Sequence, residues 1–555
     1  EDLFDQYREM RGSMALNKEL GQINPINATK TDQPCKSMGL HSRFSALRDL
    51  YDDGDALFLA NVGIMNEPIS KDNWQEKTPT QLFAHSAQMD ETYRLDIKKD
   101  AGDTGVLGRM AGVLKQNGHA VSSISIDTAA KALSGHPDKA PPVAVLRGSG
   151  FGTIEPFEGS KPVAEILNGA TTQSSGFFGD TFSDAVYQAL KDNELFQSVL
   201  SQHQVDPSSG FGNTILDQKL SLLSRLIKGR AERGVTRDFF FADHIGFDHH
   251  SEAVSLLGGK FAEVDNALDS FSKEMKSQGH WDDVTVVVVS DFGRTLTLNS
   301  NDGTDHGWAG NYFMVGGGLD GGKIMGKYPS DLTEEGEVNI DRGRLIPTHS
   351  WDAVWNGVAQ WSGVTTENDL NEVLPNRQSF CGEGMLFSEA DLYGNGESNN
   401  INCDVPGGWE DNWRITRGIA SFSDLTFSVI NIIHEGKVLE DTQAKILDQD
   451  CNQLNNNDVN NAFSVSSSIS DGQVQTDVTL IPLNIASTNS SIYQAGLGTA
   501  TINFCLRFSL YSGDTEVAFT DSHAQFFVNL TSGFEVTSVS VESEQIFNAI
   551  ATQQF

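Results

Sequence analysis

Residues 1–385 predict an α/β domain built on a mainly parallel sheet with helices on both faces, and residues 419–555 predict an antiparallel β-sandwich. Three observations carry this. Short β-branched runs alternate with helical patterns through the first part, the order of a parallel sheet covered on both sides. After about Ser421 the texture changes to closely spaced, partly alternating segments separated by turn residues. Residues 386–418, with Asn and Gly clusters (YGNGESNNINCDVPGG), read as a polar connection between the two.

The elements follow in order. Ala56–Val62, Ala120–Ile126, Val143–Leu146, Phe239–Ala242 and Val284–Val289 read as strands. Ile215–Arg230 reads as a helix, with Leu216, Leu220, Leu223 and Ile227 on one face. A longer helix follows Glu252, because Val254, Leu257, Phe261, Val264, Leu268, Phe271 and Met275 recur at three- and four-residue steps. In the C-terminal part, LTFSVINII, VQTDVTLIPLNI, ATINFCLRFSLY, AQFFVNL and FEVTSVSV read as sandwich strands.

Two loops stand out chemically. Val284–Val289 is β-branched and far too short to span a membrane, so it reads as a buried central strand. It stops at Ser290 and Asp291, and Asp305 and His306 follow after a loop rich in Asn, Ser and Gly. Phe239–Ala242 runs into Asp243, His244, Asp248, His249, His250 and Glu252. Strand, acid/His loop, helix, strand, acid/His loop is the order that brings both loops to one carboxyl edge of a parallel sheet, where ligands sit. Asp248, His250, Asp291, Asp305 and His306 are therefore candidate ligands for a divalent metal, with zinc, calcium and magnesium all open. The plain alternative is a set of loop-capping carboxylates and histidines satisfied by backbone.

Weaker signals surround them. Arg294 has the chemistry to hold a phosphate or sulfate oxyanion, and equally to form an ion pair with a neighbouring acid. Arg147–Gly152 is a glycine-rich turn after a strand. It reads as a loop more readily than as a phosphate cradle, since no helix signal follows directly. His349 reads as a helix-entry residue before it reads as a late metal ligand.

The segments GFDHHSE, SDFGRT, DGTDHG and GGGLDGGKIMGKYP resemble the family known as domain of unknown function 1501, within the alkaline-phosphatase and sulfatase superfamily. LHSRFSALRDLYDDGDALFLANVG from Leu40, PTQLFAHSAQMDE from Pro79, TGVLGR from Thr104 and WDAVWNGVAQWSGV from Trp351 match in order, so the resemblance covers about residues 1–385. It implies an alkaline-phosphatase-like fold and metal-assisted hydrolysis or transfer of phosphate or sulfate esters. Two departures weigh against ordinary catalysis. The superfamily implies a first strand ending in a metal-binding Asp, whereas Glu1–Phe4 resembles the segment just after that strand; the strand is expected to be cut off or absent. Relatives carry Ser-His where this chain has Ala84-His85-Ser86, so Ser86 is the remaining nucleophile candidate. A shift of one residue turns a side chain by about 100° around a helix, so Ser86 does not simply replace the missing hydroxyl.

The net charge of −36 excludes a nucleic-acid-binding reading, which requires basic patches. No apolar run reaches membrane-spanning length. Sequons at Asn27, Asn489 and Asn529, with five cysteines, favour an oxidising extracellular or cell-surface compartment, or a periplasm. The expected pairs are Cys451 with Cys505 and Cys381 with Cys403, leaving Cys35 reduced. Two functions stand against each other: a secreted metal-dependent hydrolase of phosphate or sulfate esters, and a non-catalytic structural protein on a degenerate hydrolase fold, with the C-terminal domain mediating self-assembly or cell-surface contact.

Overall fold

The computed structural model describes residues 2–78, 80–96, 102–147, 194–380, 382 and 384–394, and the backbone of the strands between 419 and 541. The chain divides into two compact units, Glu1–Asn400 and Ile401–Phe555.

In the first unit the strands are β1 (Ile23–Asn27), β2 (Ser37–His41), β3 (Ala56–Gly63), β4 (Val121–Ile126), β5 (Val143–Leu146), β6 (Arg237–Ala242), β7 (Val286–Val288), β8 (Gly310–Val315), β9 (Ile324–Gly326), β10 (Asn339–Asp341), β11 (Arg344–Leu345) and β12 (His349–Ser350). The helices that matter here are α1 (Leu3–Arg11), α2 (Ser45–Asp53), α3 (His85–Arg94), α4 (Val106–Gln116), α5 (Ile215–Lys228), α6 (Ala253–Gln278), α7 (Trp351–Ser362), α8 (Glu367–Val373) and α9 (Glu389–Tyr393). The long helix after Glu252 is present as read, closed at Gly279 in the left-handed conformation that glycine tolerates. α5 opens with a capping box in which Thr214 and Asp217 satisfy each other's backbone.

The sheet is mixed and divided. β5, β4 and β6 form a three-stranded parallel sheet, with Ile124 opposite Phe240 and Ala144. A second sheet runs β12-β3-β8-β7, with β9 also on β3. Its β3 pairs in parallel with β9 and β12, but β8 lies antiparallel between β3 and β7. The expectation of one mainly parallel sheet is thus met by two sheets, one parallel and one mixed. Val284–Val289 is also not a central strand. Among the described residues only Val286–Val288 pair, on one side with β8, and they are half-buried. Being β-branched favours an extended backbone but does not supply a second neighbour.

Apolar faces of α2, α5 and α6 build the core against these sheets. Leu47, Leu226, Ala267, Phe271 and Met275 are buried in it with Ile124, Ile126 and Val315. Residues from 386 were expected to be a connection, yet Leu386, Phe387, Leu392 and Tyr393 are buried. A Ser388–Asp391 capping box starts α9 there, so the first unit extends past the expected boundary.

The second unit carries two antiparallel sheets. One runs Ile419–Ser423, Thr426–Ile432, Gln473–Leu480, Phe463–Ser470. The other runs Asp441–Leu447, Thr499–Ser512, Thr515–Asn529, Glu535–Val541, with Tyr493–Ala495 added to Thr499–Ser512.

Cys35 carries a free, half-buried thiol. The pairings expected for Cys381, Cys403, Cys451 and Cys505 fall outside the described side chains, as do most of the Arg147–Gly152 turn and the sequons at Asn489 and Asn529. Asn27 is exposed at the end of β1. Among the described residues no helix is long and apolar enough to cross a membrane.

Candidate metal centre

The loops leaving β6 and β7 meet, and the start of α3 joins them. Asp248 and His250 lie on the loop after β6, and Asp291 lies three residues beyond β7. A short antiparallel contact places the remaining two. Arg294 bridges His306, Thr295 N donates to Asp305 O at 2.9 Å, and Gly293 N donates to Trp308 O at 2.9 Å. Glycine is required here because a Cβ on Gly293 would come within 1.9 Å of Ala309 O. Trp308, fully buried, pins the far end by donating its indole N–H to Ile64 O at 2.9 Å.

Three imidazoles converge on Asp248 through their Nε2 atoms. His85 Nε2 lies 3.3 Å from Asp248 Oδ2, His306 Nε2 lies 3.3 Å from Oδ1, and His250 Nε2 lies 3.0 Å from Oδ1. Each ring is held by its other nitrogen. Asp291 Oδ2 sits 2.5 Å from His85 Nδ1, Phe83 O sits 2.7 Å from His306 Nδ1, and Asp305 Oδ1 sits 3.2 Å from His250 Nδ1. Carboxylates and carbonyls on the outer nitrogen fix tautomer and aim in metal-binding histidines. Phe292, itself buried, packs between two of the rings, 4.6 Å from His85 and 4.8 Å from His306 by centroids. Phe83, which supplies the carbonyl, is held at φ 64°, a strained setting for a bulky residue.

The donor set fits a metal. One atom each from His85, Asp248 and His306 lie within 4.8 Å of one another. Zinc with ligands at about 2.1 Å would hold tetrahedral neighbours about 3.4 Å apart, close to the two separations of 3.3 Å. His85 Nε2 is buried and makes no hydrogen bond, although its ring is partly exposed. His250 Nε2 and His306 Nε2 are 3.0 Å apart, so one of the two must carry a proton or both must face a cation.

Charge around the cluster is balanced by arginines. Arg294 pairs with Asp248 and also donates to Thr304 through Oγ1 and the backbone oxygen. Partial burial draws the Asp248 carboxyl up, but the Arg294 hydrogen bond and charge, with His250 and His85, outweigh it and hold the group below the usual range. Asp305 is held well below the usual carboxylate range, first by the Asn299 hydrogen bond and, against the opposing cost of burial, by Arg342 and His250. Arg342 lies 2.6 Å from its Oδ2.

The family model described as "Protein of unknown function (DUF1501)" matches residues 222–342. That match supports the family resemblance. GFDHHSE, SDFGRT and DGTDHG all lie inside the matched span, and so do all five ligands read from the sequence. No curated protein and no solved structure matches the chain.

The structure brings Asp248, His250, Asp291, Asp305 and His306 together, with Asp291 and Asp305 behind histidines rather than facing the centre. Ser86 is exposed and makes none of the cluster's contacts; its neighbour His85 is the residue of that segment that enters. His85 was not among the expected ligands. Its one signal in the sequence is that the Ser-His of relatives falls at Ala84-His85; the segment does not show that the ring faces the centre. The guanidinium of Arg294 is engaged by Asp248 and Thr304, the ion-pair alternative of its two readings. His349 is apart, bonded to Gly384 O at 3.2 Å and stacked on Phe387.

Proposed function

We propose that the first unit is a zinc-dependent hydrolase of phosphate or sulfate esters, on an alkaline-phosphatase-like fold, working outside the cell. The observation that carries this reading is the convergence of three histidine Nε2 atoms on Asp248, each ring braced at Nδ1. Imidazole with one carboxylate favours zinc over calcium or magnesium, which take oxygen ligands. His85, Asp248 and His306 would hold the ion, with His250 beside them. Bound there, the metal supplies a Lewis acid for an ester oxygen and lowers the pKa of water.

The chain's own groups account for the rest. Asp291 keeps the His85 proton on Nδ1 and frees Nε2 for the centre. Arg294 neutralises Asp248 and ties its loop to Thr304, so the carboxylate keeps its place when a cation or an anionic ester approaches. Arg342 does the same for Asp305. Neither Ala84 nor Ser86 presents a hydroxyl to the cluster, so the nucleophile would be water rather than a serine. The second unit, read as a β-sandwich, would serve attachment or assembly.

The test is turnover of an aryl phosphate and an aryl sulfate by zinc-loaded protein. Hydrolysis of either, lost in His306→Ala, supports the enzyme. Zinc bound without turnover of either supports the non-catalytic reading, which Ala84 and the exposed Ser86 favour.

A further inference from the structure

We propose that Asn299 is a positioning residue of the metal centre, clasping the loop that carries Asp305 and His306 to the loop that carries Asp248 and His250. Its carboxamide has a partner on every side. Nδ2 donates to His250 O at 3.0 Å and to Asp305 Oδ1 at 3.0 Å. Oδ1 accepts from Asn301 N at 2.9 Å and from Gly303 N at 3.0 Å. Two donors and two lone pairs are the full capacity of the group. The partners also fix which way it points, since a carbonyl and a carboxylate take only N–H and the two amides take only oxygen.

Backbone contacts already bring the two loops together. Thr304 N donates to His249 O at 3.1 Å, and Ala253 N, at the start of α6, donates to Asp302 O at 3.3 Å. Asn299 adds a link that ends on the centre itself. It holds Asp305 Oδ1, which lies 3.2 Å from His250 Nδ1, and His250 Nε2 lies 3.0 Å from Asp248 Oδ1. The carbonyl it also holds belongs to His250, so one carboxamide fixes both the backbone and, through Asp305, the ring of that residue.

The side chain has to be asparagine. Aspartate would keep the turn but present a carboxylate to Asp305 and a lone pair to His250 O, turning both bonds into repulsions. Alanine would leave both oxygens without this donor. Glutamine is one methylene longer than the turn, in which an Asn oxygen takes the N–H two residues on. The plain alternative is that Asn299 serves only its own turn. Against it stands the bond to His250 O, which spans 49 residues of chain and which turn formation does not require.

The test uses Asn299→Asp and Asn299→Ala in the full chain, the second adding no charge, with Asn301→Ala at an exposed place in the same turn as control. Amide exchange is measured on the metal-free proteins and zinc affinity by calorimetry. Both Asn299 variants should exchange faster at 249–253 as well as at 299–305, with the rest of the chain unchanged. Their zinc affinity should fall about 10–100-fold, as for other groups behind a ligating histidine. Asn301→Ala should match wild type in both. Faster exchange at 299–305 alone would assign Asn299 to its turn and overturn the proposal. Undiminished zinc affinity in both variants would overturn it too, as would the same losses in Asn301→Ala. The zinc arm rests on the function proposed above, and wild type that takes up no zinc would fail that function. Exchange at 249–253 then decides the role of Asn299 by itself.

Discussion

Asp291 Oδ2 and His85 Nδ1 lie 2.5 Å apart, joining the loop after β7 to the first residue of α3. Through this contact a carboxylate that follows a strand sets the aim of an imidazole on a distant helix. Asp291→Asn should therefore weaken zinc binding by about 10–100-fold, the usual cost of losing a carboxylate behind a ligating histidine. Circular dichroism should be unchanged. An affinity equal to wild type would show that Asp291 does not orient His85.

Gly303 is a packing requirement of the same centre. A Cβ there would come within 2.1 Å of the His250 carbonyl carbon. Gly303→Ala must push the His250 loop away, at a cost of about 1–3 kcal/mol for overpacking. Chemical denaturation should show the loss, and zinc affinity should fall with it. A stable variant with full affinity would contradict the contact.

Asp352, at the start of α7, is fully buried, and burial raises its carboxyl to about 7 against the opposing effects of Ser350 and Arg109. Its ordinary value is about 3.9. A group raised on folding contributes stability that is complete below the unfolded pKa and is lost as pH rises through the folded one. The thermal midpoint of wild type should fall relative to Asp352→Asn between pH 5 and pH 8. A constant difference across that range would show that Asp352 does not titrate there.

His349 tests the limits of the site. Its ring is bonded to Gly384 O and Thr348 Oγ1, and burial lowers its pKa. His349→Gln should leave zinc stoichiometry unchanged, measured by elemental analysis, while lowering the thermal midpoint. Loss of zinc in this variant would place His349 among the ligands.

Much of this arrangement is legible in the sequence, and the reason is local. The spacing from Val254 to Met275 determines a helix whatever surrounds it, and acid/His loops after apolar strands announce a carboxyl-edge site. What local pattern does not carry is pairing. Val286–Val288 has the composition of a central strand, yet its neighbours are set by residues far along the chain, and among the described strands only β8 reaches it. His85 escaped for a related reason: its partners Asp248 and Asp291 are distant in sequence, and nothing in Ala84-His85-Ser86 shows which way the helix turns. The break at residue 386 was misplaced because Asn and Gly further on mask Leu386, Phe387 and the Ser388–Asp391 cap.

The central claim is a metal centre made by His85, Asp248 and His306, and zinc binding tests it most directly. Purified, chelator-treated full chain is titrated with zinc by calorimetry, beside His85→Ala, Asp248→Asn and His306→Ala. The account predicts one tight equivalent in wild type and a loss of at least about 100-fold in affinity in each variant, with the fold intact. No tight zinc in wild type, or undiminished binding in the three variants, would contradict it.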